Sequence, residues 1–125
     1  MTDTMVNIAV LGASDNPARY SYLALKELDK RGYKNLFPIH PKKEKIQGIK
    51  VYPELEKLPV RVHTLSLYMG PERLNQVVDA MIKARPKRVI FNPGTESAAV
   101  KEELENNGID CSYDCTLVML RTKSF

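Results

Sequence analysis

Met5-Val-Asn-Ile-Ala-Val-Leu11, a short and nearly continuous apolar run, breaks at Gly12-Ala13-Ser14-Asp15-Asn16-Pro17. A run without polar alternation is the pattern of a strand covered on both faces, as in a parallel sheet. From Pro17 to Arg31, Ala18, Tyr22, Leu25 and Leu28 recur at helical spacing, and Gly32 stands where a helix closes in a left-handed residue. Tyr33 to Ile39 reads as a second strand, with Pro38 near its end, where one missing ladder donor does least harm. Strand, helix, strand in this order is a parallel pair joined by a helical crossover.

The remainder repeats the cycle. Residues 40 to 59, with Lys42, Lys43, Lys45 and Gly48, read as an irregular connection holding one helical turn. Val60 to Tyr68 is a third strand; Gly70-Pro71 stops it and opens a helix whose buried stripe is Leu74, Val77, Val78 and Met81. Lys87 to Phe91 is a fourth strand, followed by the loop Asn92 to Ser97, a helix carrying Val100 and Leu104, and the turn at Gly108. Ile109 to Tyr113 is the fifth strand, and residues 116–125 begin as a short terminal helix. The expected architecture is α/β: a Rossmann-like, doubly wound, five-stranded parallel sheet in a single domain, with right-handed crossovers.

Composition agrees. A chain of 125 residues, 43% hydrophobic and 27% charged, has room for one core. A mean hydropathy of -0.32 and no apolar run near the roughly 18 to 20 residues of a span exclude a transmembrane role. Met1-Thr2-Asp3-Thr4 carries an acid and no base, unlike the start of a signal peptide, so the expected location is cytoplasmic. Two cysteines, Cys111 and Cys115, make no disulfide framework, and two distant histidines give no metal site. The net charge of +4 leans toward an anionic partner.

In such a sheet the ligand crevice lies beyond the carboxyl ends of the strands, where strand order reverses, which directs attention to four loops. The first, Gly12, Ala13, Ser14, Asp15, Asn16 and Pro17, presents backbone N–H groups to a phosphate at the positive end of a helix, with Arg19 as a helper or a solvated charge. Its spacing resembles G-x-G-x-x-G, but Ser14 and Pro17 replace two glycines, which fits an ordinary dinucleotide fingerprint poorly. The second, Pro38, Ile39, His40, Pro41, Lys42 and Lys43, places bases where an enzyme for unphosphorylated ribose places an acid, and so favours a ribose bearing its own phosphate. The third, Tyr68, Met69, Gly70 and Pro71, is expected to close the third strand beside the second, with apolar groups to flank an adenine or a pantetheine arm. The fourth, Asn92, Pro93 and Gly94 leading to Thr95, is expected across the switch point as the opposite wall.

No Walker loop, no G-x-S-x-G elbow and no nucleophile partner for either histidine is present. His63 reads as a core or face residue of the third strand, and Cys115 as a small buried hydrophobe or a contact for a thiol-bearing ligand.

Ile8 to Ser14 with Asn16-Pro17 and Arg19, Gly32-Tyr33, Phe37 to Lys42, Ile46-Gln-Gly48, Val51-Tyr-Pro53 and Asn92-Pro-Gly94 together resemble the small CoA-binding proteins related to the CoA-binding domain of the succinyl-CoA synthetase alpha subunit. The resemblance covers nearly the whole chain. It implies coenzyme A or an acyl-CoA as ligand, with the diphosphate on Gly12, Ala13, Ser14 and Asn16. It places the 3'-phosphorylated ADP near Pro38, His40, Pro41 and Lys42, and the remaining walls at Tyr68–Pro71 and Asn92–Gly94. His40 departs from the asparagine common in relatives. The synthetase has a further domain carrying a phosphorylated histidine, and this sequence lacks one, so the expectation is a binding or regulatory module without evident catalysis. The alternative is an NADP-binding enzyme or redox sensor. Nucleic acid is not the expected partner, because the charge is spread out and few aromatics accompany it.

Overall fold

The computed structural model, which describes residues 3–125, places β1 at Ile8–Leu11 with every residue buried. Met1 and Thr2, half of the segment read above as unlike a signal peptide, lie outside the described residues. After β1 come α1 (Tyr20–Lys30) and β2 (Leu36–Ile39), then a hairpin of β3 (Lys45–Ile46) with β4 (Ile49–Lys50) and a single 3-10 turn at Leu55–Lys57. The second half holds β5 (Thr64–Leu67), α2 (Pro71–Ala84), β6 (Arg88–Phe91), α3 (Ala98–Asn106), β7 (Asp110–Tyr113) and α4 (Thr116–Arg121).

The five long strands form one parallel sheet in the order β2-β1-β5-β6-β7. Alternate β1 side chains reach opposite layers: Ile8 and Val10 pack with Leu25, Leu28 and Leu120 of α1 and α4, Ala9 and Leu11 with Leu74, Val78 and Met81 of α2. The chain therefore winds outward in both directions from β1 and β5, and the switch point lies between them. This corrects one expectation: the third long strand, β5, pairs with β1 and β6, and β2 is an edge strand. Among the described residues no helix is long and apolar enough to cross a membrane.

Pro38 sits within β2, paired opposite Val10. Its carbonyl accepts from the Tyr52 amide at 3.0 Å on the outer side, so its nitrogen also faces away from β1 and the internal ladder loses no donor. The His40 amide donates to the Tyr52 carbonyl at 3.0 Å, which fastens the 40–52 excursion to the sheet edge. The excursion is more ordered than its composition predicts. Gln47 and Gly48 adopt φ of 54° and 74° in the hairpin tip, and the Gln47 side chain donates to the Tyr22 carbonyl at 2.9 Å. Ile46 and Val51 pack on the α1 layer while Leu55 packs on the α2 layer, so the excursion wraps the edge and brings 53–56 over the carboxyl ends of the strands.

Helix α1 starts three residues later than the apolar spacing predicts. The Asn16 side chain accepts from the Ala18 amide at 3.0 Å, and the Arg19 amide donates to the Asn16 carbonyl at 3.0 Å. This Asx turn holds 16–19 outside the helix and leaves Ala18 exposed. At the other end the Tyr33 and Gly32 amides donate to the Leu28 and Asp29 carbonyls, a Schellman closure.

Candidate functional site

A cleft of about 670 Å³ opens along the carboxyl edge of the sheet at the switch point, a size suited to a small organic ligand. Gly12, Ala13, Ser14 and Arg19 form one rim, His40 and Pro41 a second, Tyr68, Met69 and Gly70 the floor, and Pro93 and Gly94 the far wall. All four loops singled out from the sequence thus meet at one place. Asn16, Pro17, Pro38, Lys42 and Asn92 do not line it.

The first loop crosses the third at very short range. Gly12 has φ of +91°, and a β-carbon there would stand 2.8 Å from the Tyr68 carbonyl oxygen. No side chain fits without moving backbone. The loop's amides are divided between structure and cleft. The Ala13 amide donates to the Ile39 carbonyl at 3.1 Å and the Asn16 amide to Ser14 Oγ at 3.0 Å, so neither is available to a phosphate as the strand-to-helix spacing suggests. The amides of Ser14, Tyr20 and Ser21 have no partner among the described residues, and the latter two are donors at the positive end of α1.

The second loop is tied to the first by an ion pair, Lys43 Nζ to Asp15 Oδ2 at 2.9 Å. Lys43 holds the Asp15 carboxyl below the ordinary carboxylate range. His40 Nδ1 accepts from the Lys42 amide at 3.0 Å, which orients the ring at the edge of the cleft. Lys42 itself extends into solvent outside the cleft wall.

Asn92 is a correction to the expected wall. It is 1% exposed, and its amide group donates to Ser66 Oγ at 2.9 Å and to the Leu67 carbonyl at 2.8 Å, while its oxygen accepts from the Thr116 amide at 2.8 Å. It braces β5, the fourth loop and the start of α4 from behind the cleft. Tyr68 turns toward the same network: burial pushes its hydroxyl up to about 12, opposed by hydrogen bonds with the Ser66 and Thr116 hydroxyls, so it stays protonated at neutral pH. Gly94 donates its amide to Glu96 Oε1 at 2.9 Å, which occupies one more backbone donor of that loop.

Several lining residues escaped the sequence reading. Tyr20, 71% exposed, stands at the mouth because α1 begins with it; the Asn16-Pro17 pair is the signal that delays the helix. Arg73 on the first turns of α2 adds a second cation to Arg19. Glu54 and Glu56 arrive with the wrapped excursion, and Val77 and Ala80 carry the apolar wall along α2. His63 lies at the amino end of β5, away from the cleft, where burial above all, with Arg88 and Lys87, depresses its pKa. Cys115 is half-buried at the start of α4 and is not a lining residue.

The family model described as a CoA binding domain matches residues 6–121 of this chain. The chain belongs to that family. Among curated proteins it is 30% identical over 66 residues to the alpha subunit of the ADP-forming acetate–CoA ligase II of Pyrococcus furiosus, a match over 53% of this chain and 14% of the ligase subunit. A solved structure of an uncharacterized protein superposes with a TM-score of 0.89 at 36% identity, covering 97% of this chain and 98% of the other. The dinucleotide-forming acetyl-coenzyme A synthetase 1 of Ca. Korarchaeum cryptofilum, solved with phosphate and ADP, superposes with a TM-score of 0.74 at 26% identity over 86% of this chain and 25% of the synthetase. This chain thus spans only a small part of the length of the ligase subunit and of the synthetase, and the solved structures named here share its fold.

Proposed function

We propose that this chain binds coenzyme A or an acyl-CoA in the switch-point cleft, as a stand-alone binding or regulatory module without catalysis of its own. The observation that carries the reading is the close crossing of Gly12 and the Tyr68 carbonyl, which draws two strand-end loops together at the switch point and keeps side chains away from the unpartnered amides of Ser14, Tyr20 and Ser21 beside it. A diphosphate fits there, between backbone donors and the guanidinium of Arg19. Glu54 and Glu56 repel phosphates but accept hydrogen bonds from neutral amides, and with Val77 and Ala80 they suit an amide-bearing, partly apolar arm. In this proposal His40 and Pro41 adjoin the adenosine, and Lys42 with its neighbouring lysines meets the ribose phosphate.

NADP carries a comparable ribose phosphate, and one experiment separates the two. Thermal unfolding with CoA, dephospho-CoA, acetyl-CoA, NADP and NAD is expected to give a rise for CoA and acetyl-CoA and less for dephospho-CoA. At about 100 times Kd the ligand stabilises by ~2.7 kcal/mol, a shift of about 10 °C for a chain of this size. Lys42→Ala is expected to weaken CoA more than dephospho-CoA; equal weakening removes Lys42 from the phosphate. A response to NADP alone overturns the CoA reading.

A further inference from the structure

We infer that the cleft continues into an acyl subsite: the groove between residues 55–62 and the last turns of α2 takes an aliphatic acyl chain that ends in a carboxylate. The inference rests on the CoA reading above and adds the class of thioester. The groove has a volume of about 460 Å³ and shares Leu55, Glu56 and Ala80 with the cleft, so the two hollows adjoin along these residues and a ligand arm lying against Ala80 ends beside the groove. From Ala80 to Ala84 it follows α2 for about 6 Å, the reach of a few methylenes. Its sides there are Leu58, Val62 and Ala84, all apolar.

The far mouth has the opposite character. Arg61, Lys83 and Arg85 gather there, and none of them joins an ion pair among the described residues. Arg61 Nε donates to the Arg85 carbonyl at 3.2 Å, which ties the 55–62 segment to the end of α2. The cations balance the negative end of α2, but that requires no apolar approach and no opening toward the cleft. Free CoA ends in a thiol and leaves the groove empty, and a plain aliphatic chain leaves the cations without a counter-charge. An ω-carboxyacyl chain uses both the apolar passage and the basic mouth.

The test is calorimetric titration with CoA, acetyl-CoA, hexanoyl-CoA and adipoyl-CoA. Each methylene removed from water is worth about fourfold in affinity, so adipoyl-CoA is expected to bind at least about tenfold tighter than acetyl-CoA. It is also expected to exceed hexanoyl-CoA about threefold at low salt, with that margin shrinking as salt rises. Ala84→Phe fills the groove and is expected to bring adipoyl-CoA to the acetyl-CoA level with CoA unchanged. Lys83→Glu, on an exposed position, tests the mouth without touching the core and is expected to weaken adipoyl-CoA alone. CoA binding together with adipoyl-CoA no tighter than acetyl-CoA or hexanoyl-CoA overturns the inference and spares the CoA reading. Failure of CoA itself to bind overturns both. Ligand-independent self-association abolished by Lys83→Glu assigns the groove to a second copy of the chain and likewise overturns it.

Discussion

Gly12→Ala isolates the contact on which the cleft depends. Alanine at φ of +91° carries the cost of a left-handed L-residue, about 1–2 kcal/mol. Its β-carbon would also stand 2.8 Å from the Tyr68 carbonyl oxygen and 2.9 Å from the carbonyl carbon, both backbone atoms that cannot rotate away. Forced overpacking of this kind costs about 1–3 kcal/mol. The expected loss is about 3 kcal/mol, a large part of the ~5–15 kcal/mol that holds a domain folded. Gly94→Ala is the matched control, because its φ of +94° brings the same strain while a β-carbon there meets nothing within 4 Å. The reduction in unfolded-chain freedom is common to both substitutions and cancels between them. In urea, with a slope of about 1.5 kcal/mol per molar, the midpoint should fall by about 2 M for Gly12→Ala and by about 1 M for Gly94→Ala. Equal midpoints would refute the argument, since they would leave backbone conformation as the whole effect and the close crossing as none of it.

Asn92→Ala removes three hydrogen bonds and strands the buried Thr116 amide, while Ser66 Oγ keeps its bond to Thr116 Oγ1, so a loss of about 2–4 kcal/mol is expected by urea unfolding; a loss under about 1 kcal/mol contradicts the bracing role. Burial first, and then the Glu105 charge, push the Cys111 thiol up to about 11. In Cys115→Ser, alkylation of Cys111 at pH 8 should therefore run about tenfold slower than a free thiol and climb with pH without a plateau below pH 9. Lys43→Gln should return Asp15 toward its ordinary 3.8 in an NMR titration. Because the carboxyl is depressed in the folded protein, what this pair contributes to stability is present above 3.8 and lost as pH falls through the lower folded value, and Lys43→Gln should abolish that acid-side dependence.

The strands were legible where burial on both faces leaves a continuous apolar run, as in Ile8–Leu11 and Arg88–Phe91, and less so at their ends. Met5 to Asn7 and Val60 to His63 extend the apolar or alternating patterns but fall outside β1 and β5, because ladder pairing stops where the partner strands stop. Strands β3 and β4 have two residues each and no period to detect; the hairpin is held by Gln47 on the Tyr22 carbonyl and by Ile46 in the α1 layer, contacts that exist only after folding. The loops of the site were legible as loops, since glycine, proline and capping residues cluster there. Which side chains face the cleft was not. Lys42 and Lys43 are adjacent and alike in sequence, yet only Lys43 reaches Asp15, and Asn92 resembles a turn residue while lying 1% exposed beneath the wall. Arg73, Glu54 and Glu56 come from elements whose placement depends on strand order, which local pattern does not encode.

That strand order also polarises the cleft. Winding outward from β1 and β5 puts the start of α1 on one side of the switch point and the start of α2, with the wrapped 53–56 segment, on the other. Unpartnered amides and Arg19 face one end, and Glu54 and Glu56 with Leu55, Val77 and Ala80 face the other. A ligand with a diphosphate and an amide-bearing arm has one sensible orientation in such a site. Reversed, it would set its phosphates against two carboxylates and lay its apolar segment among bare N–H donors, each of which costs free energy when buried without a partner. Arg73 lies on the α2 side with the two acids and tempers that contrast without reversing it, because a single guanidinium offsets only one of the two carboxylates. On the proposed CoA reading, the direction of binding is thus set by the topology that creates the cleft, before any single side chain contributes selectivity.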